Sequence, residues 1–105
     1  MNCRTWTTSV LASLLITWPA SAMPDASTMK RLETVAVYYG SVDHCGISVD
    51  GDRLYSYLER SNALDPVTYG AFRRAAGLGY ASQQVPGSPY CQLVERIMRD
   101  EGIID

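Results

Sequence analysis

The sequence predicts an all-α protein: a compact bundle of about four short helices stapled by one disulfide. Three observations lead there. Apolar residues recur at helical spacings of three and four, and no sustained apolar–polar alternation marks a strand. Two cap-then-proline pairs, Asp65-Pro66 and Ser88-Pro89, announce helix starts. Two cysteines, Cys45 and Cys91, remain once an apparent leader is set aside.

The leader covers residues 1–22. Arg4 is its only charge, an apolar run follows from Val10 to Trp18, and Ala20 and Ala22 form an A-x-A site that places cleavage before Met23. The run is about half of the roughly 20 apolar residues that a membrane span needs, so no stable anchor is expected after cleavage. Cys3 leaves with the leader, and residues 23–105 are expected to form a single small domain.

Helix one opens at Asp25 or Ser27 as N-cap, and Met29, Leu32, Ala36 and Tyr39 recur on one face. Val35 and Val42 widen that face, and Gly46-Ile47 reads as a glycine C-terminus with its apolar follower, ending the helix near Cys45. Gly40 inside this span either permits close packing or divides the helix. Asp50 caps a shorter second helix carrying Leu54, Tyr57 and Leu58, which Ser61-Asn62 ends.

Asp65-Pro66 starts a third helix. Its expected core stripe is Val67, Ala71, Ala75 and Leu78, with Tyr69, Phe72 and Ala76 alongside. Gly70 and Gly77 lie two turns apart on one face, and the spacing predicts that helix one packs closely there through Gly40 and Ala36. Ser88-Pro89 starts the fourth helix. Cys91, Val94 and Met98 form its buried face, Glu95 and Arg99 pair outside, and Gly102-Ile103 closes it.

In an oxidising compartment Cys45 and Cys91 have one possible intramolecular pairing, and closing so long a loop stabilises a small domain by about 4 kcal/mol. The competing reading is a reactive thiol beside His44. No C-x-x-C supports it, and sequence neighbours on a helix do not face each other.

Little else suggests chemistry. Asp43, Asp50, Asp52 and Glu59 lack calcium-loop spacing, and one His with two oxidised cysteines cannot make a zinc site, so no metal or cofactor is expected. There is no G-x-S-x-G, and no catalytic residue is assigned. A net charge of −2 gives no footprint for nucleic acid.

Tyrosine is the residue in excess, with seven. Tyr39 and Tyr57 suit the core. Tyr38, Tyr55 and Tyr69, with Arg73 and Arg74 within a turn of Tyr69, have the composition of a protein-binding surface. The competing reading is that the outward tyrosines cover helix junctions with their hydroxyls in water.

Tyr39-Gly40, Cys45-Gly46 and Tyr90-Cys91 on such a chain resemble a broad group of small exported proteins of proteobacteria. In layout, with leader, short helical domain and one long-loop disulfide, the chain is similar to the Hde-type periplasmic acid-stress chaperones. That resemblance implies a helical fold and acid activation. It carries over no functional residue: those chaperones are lysine-rich, whereas Lys30 is the single lysine here. The leading expectation is an exported, non-enzymatic domain that binds a protein partner in the periplasm or outside the cell. The alternatives are an acid- or stress-activated chaperone and an accessory subunit of an exported enzyme.

Overall fold

A computed structural model describes residues 24–105, so the leader reading falls outside the described residues. Five helices follow in order: α1 (Ala26–Gly40), α2 (Val42–Cys45), α3 (Gly51–Arg60), α4 (Pro66–Ala81) and α5 (Pro89–Asp100). No strand occurs among the described residues.

Side-chain caps set the starts of the four longer helices. Asp25 accepts from the Thr28 amide at 2.7 Å, Asp50 from Asp52 at 2.8 Å, Asp65 from Thr68 at 2.9 Å and Ser88 from Cys91 at 3.2 Å. Each satisfies a backbone donor that the first helical turn leaves without a partner. Ser27 donates to Asp25 instead of capping α1 itself. The predicted ends also form. Gly46 and Gly102 take left-handed backbone angles, φ 72° and 79°, and the next amides return to Val42 and Met98.

The expected first helix divides into α1 and α2 at Ser41, beside its closest approach to α4. Gly40 lies against α4 so closely that a Cβ there would overlap the Ala76 carbonyl oxygen. Three residues along each helix the contact recurs with roles exchanged: a Cβ on Gly79 would overlap the Val37 carbonyl oxygen. The two helices therefore cross antiparallel, each offering a glycine to the other's backbone. Bare glycine Cα–H groups face carbonyl oxygens there, an arrangement that recurs at close helix contacts. Ser41 is completely buried at the crossing and donates its hydroxyl to the Gly79 carbonyl at 3.1 Å.

This crossing corrects two expectations about α4. Its core face is Thr68, Phe72, Ala75 and Gly79, whereas Val67 and Leu78 are 70% and 69% exposed. Gly70 and Gly77 do not meet helix one: a Cβ on Gly77 would touch nothing within 4 Å, and one on Gly70 would touch only the Arg74 guanidinium at 3.7 Å. The physical reason is the narrow gap. Around Ala76 and Gly79, where the two backbones nearly touch, only small side chains fit, whereas Phe72 farther along the same face is large and fully buried.

Leu32, Val35 and Ala36 of α1, Tyr57 and Leu58 of α3, Phe72 of α4, and Val94 and Met98 of α5 fill the core, closed by Ile103 beyond α5. The segment after α5 is clasped by arginines. Arg31 of α1 pairs with Glu101 at 2.6 Å, Arg60 of α3 donates to the Glu101 carbonyl at 3.0 Å, and Arg53 pairs with Asp105. Glu95 and Arg99 pair at 3.5 Å on α5, as their spacing predicts.

Candidate functional site

Cys45 at the end of α2 and Cys91 in the first turn of α5 are disulfide-bonded, with Cα atoms 5.4 Å apart and both residues buried. A bond of this kind belongs to an oxidising compartment outside the cytoplasm. No helix among the described residues is long and apolar enough to cross a membrane.

His44 is committed elsewhere. Its Nε2 lies 2.8 Å from the Tyr80 carbonyl, which can only accept, so Nε2 carries the proton. The imidazole also packs, tilted by 34°, against the Tyr80 ring at 4.6 Å between centroids. Among the described residues no group of three His, Cys, Asp or Glu side chains is placed to hold a metal.

The feature with unspent surface is a groove between α3 and the start of α4, about 340 Å³ in volume. Gly51, Leu54, Tyr55 and Leu58 form its α3 wall; Leu64 and Tyr69 form the other. Tyr55 is 56% exposed, Leu64 41% and Tyr69 39%, so three large side chains present apolar area to solvent around one depression. Local sequence places them. Leu64 precedes the Asp65 cap and Tyr69 falls at the fourth helical position, the pairing of a hydrophobic staple. Before it, Asn62 ends α3 in the left-handed region at φ 55°, and the buried Ala63 returns its amide to Leu58 at 2.8 Å.

Arg73, one turn on from Tyr69, holds its guanidinium carbon 6.0 Å from the Tyr69 ring centroid, within cation–π range. Arg74 folds back in the same direction along Gly70. Neither arginine has a carboxylate partner among the described residues. The structure thus brings Tyr55 and Tyr69 to one groove, with Arg73 beside the Tyr69 ring and Arg74 on the neighbouring side of α4. It does not bring Tyr38 there: that ring packs half-buried on Tyr90 of α5, at 5.6 Å. Tyr39, half-buried against Phe72, and Tyr57, buried, belong to the core, and desolvation raises the pKa of both phenols.

Leu64 was not among the residues expected at a site. Its sequence signal is an apolar residue directly before a cap-and-proline start, which reads equally well as staple and as surface. Comparison with protein-family models, curated proteins and solved structures finds no match for the chain.

Proposed function

We propose that this is an exported, non-enzymatic helical domain that binds a protein partner through the groove bounded by Tyr55, Leu64 and Tyr69. One observation carries the reading: three large, partly exposed apolar side chains surround a single depression, beside an arginine without a carboxylate partner. Tyrosine supplies large contact area at low conformational-entropy cost, and tyrosine and arginine are enriched among the residues that carry protein binding. The residue 1–22 leader and the disulfide support a periplasmic or secreted location. The test is photo-crosslinking in the native compartment, with a photoreactive phenylalanine at Tyr55, Tyr69 or Tyr38. Adducts at 55 and 69 but not at 38 are expected; equal labelling at all three, or none, overturns the reading.

A second reading, an acid-activated chaperone, is favoured by one specific observation. The two helices of the central crossing both begin at aspartate caps. The Thr28 and Thr68 backbone amides hold the Asp25 and Asp65 carboxyl groups below their ordinary pKa. Strong acid protonates both caps and loosens α1 and α4 at their starts. Suppression of a client's aggregation at about pH 2–3, absent at neutral pH, supports this role; no suppression at either pH removes it.

A further inference from the structure

A second recess, about 290 Å³ in volume, lies where α4 crosses the end of α1 and the start of α2. Tyr39 and Asp43 line it on one side and Tyr80 on the other, while Gly40, Ala76 and Gly77 between them offer little or no side chain. It shares no residue with the groove of Tyr55, Leu64 and Tyr69. Asp43 is the charged member of the lining; it is exposed and in no ion pair among the described residues. Burial chiefly raises the pKa of the Tyr39 phenol, and the Asp43 carboxylate adds to the rise, so the two groups lie within electrostatic reach of each other. Both rings are braced by an aromatic neighbour: Tyr39 packs on Phe72 at 5.7 Å and Tyr80 on His44 at 4.6 Å between centroids. The last turn of α1 ends at this recess, and neither α1 nor α4 carries a basic residue in its last turn. The negative end of a helix favours a cation, and no side chain of either helix supplies one there. Arg73, one turn before Ala76, lies 6.0 Å over the Tyr69 ring and outside the lining.

We propose that this recess receives an arginine side chain of a partner protein, its guanidinium set against the Asp43 carboxylate and the Tyr39 and Tyr80 rings. An aromatic face attracts a cation through its quadrupole, and a carboxylate beside it adds a charge-assisted hydrogen bond. The planar guanidinium can do both at once, lying on a ring while its N–H groups point to a carboxylate. An acidic group would instead face the unpaired Asp43. The volume lies just below the roughly 300–1,000 Å³ of small-molecule sites, which suits the end of one side chain.

The test titrates the isotope-labelled, disulfide-bonded protein with N-acetyl-arginine amide and follows its backbone amides by NMR. Saturable shifts should gather at Tyr39, Gly40, Asp43, Gly77 and Tyr80, and the neutral N-acetyl-glutamine amide should leave these signals in place. Asp43→Asn should weaken binding about tenfold, since it removes the charge and keeps the shape. Tyr80→Leu, which keeps apolar bulk and removes the ring, should weaken it about two- to fivefold. Each variant reads the site by itself, so a folding defect in one leaves the other to decide. No saturable shift up to about 100 mM probe overturns the site. Equal shifts with the glutamine amide, or unchanged affinity in Asp43→Asn, overturn it too. Tetramethylammonium, which has no N–H to give Asp43, should bind more weakly than the arginine probe. If it binds more tightly, the recess belongs to a free quaternary ammonium ligand and the side-chain assignment falls. Failure of any kind here leaves the groove of Tyr55 and Tyr69 untouched, because the two share no lining residue.

Discussion

Gly77 and Gly79 are two residues apart on one helix and live in opposite surroundings. Gly79 is buried, with the Val37 carbonyl where its Cβ would stand, and its own carbonyl accepts the Ser41 hydroxyl. Gly77 is exposed, and a Cβ there would meet nothing within 4 Å. The first glycine is required by the approach of two backbones; the second only lowers helix propensity, by about 1 kcal/mol relative to alanine. The same division runs through the whole of α4. Its inner face, Thr68, Phe72, Ala75 and Gly79, holds the fold, while its outer face carries Val67, Leu78, Gly70 and Gly77, with Val67 and Leu78 largely exposed. Hydropathy does not tell the two faces apart; the approach of α1 does.

The largest expected loss comes from the fastening beside the crossing. Cys91→Ser should destabilise the protein by about 2–5 kcal/mol in urea, since the disulfide ties α2, the continuation of α1, to α5. Finding free thiols in protein from its native compartment would contradict a structural bond. Gly40→Ala comes next. Its new methyl overlaps the Ala76 backbone, which cannot rotate away, so the helices must part at a cost of about 1–3 kcal/mol. Gly70→Ala on the outer face should instead stabilise by about 0.5–1 kcal/mol, because its only neighbour is the movable end of Arg74. A loss there equal to that at Gly40 would erase the contrast between the faces.

The smallest expected effect is that of acid, which reaches the starts of α1 and α4 and leaves the uncharged crossing alone. Asp25 and Asp65 have native pKa values depressed below the ordinary 3.8, first of all by the Thr28 and Thr68 backbone amides. The native state therefore binds fewer protons than the unfolded chain. The caps' contribution is complete above the unfolded value and is lost as pH falls through the native one. With Asp25→Asn and Asp65→Asn together, caps remain but no longer titrate, so the melting temperature should fall less between about pH 5 and pH 2.5 than in the unaltered protein. An unchanged fall would place the acid-sensitive groups elsewhere.

The helix ends were legible in the sequence because their signals are local: Asp50, Asp65-Pro66 and Ser88-Pro89 act within four residues of themselves. The disulfide was legible because, with Cys3 assigned to the expected leader, the two other cysteines allow one pairing. The face of α4 was not, since hydropathy scores Val67 and Leu78 above Thr68 and Gly79, while contact with α1 is decided by how close two backbones come. The pair Gly70 and Gly77 was expected at a packed helix surface. Gly40 was the correct half of that expectation, and Gly79 was its unseen counterpart. In the candidate site, Tyr55 and Tyr69 could be named from residue type, as could Arg73 beside the Tyr69 ring. The meeting of the two tyrosines in one groove, Leu64 beside them and Tyr38 apart on Tyr90, depends on tertiary placement that no local pattern encodes.

The most direct measurement of this account compares the thermal melting of Gly77→Ala and Gly79→Ala under identical oxidising conditions. The two substitutions add the same methyl to the same helix, so propensity alone predicts the same rise for both. The crossing predicts opposite signs: Gly77→Ala melts higher than the unaltered protein, and Gly79→Ala, forced against the Val37 carbonyl, melts lower. A rise in both would contradict the close glycine crossing of α1 and α4.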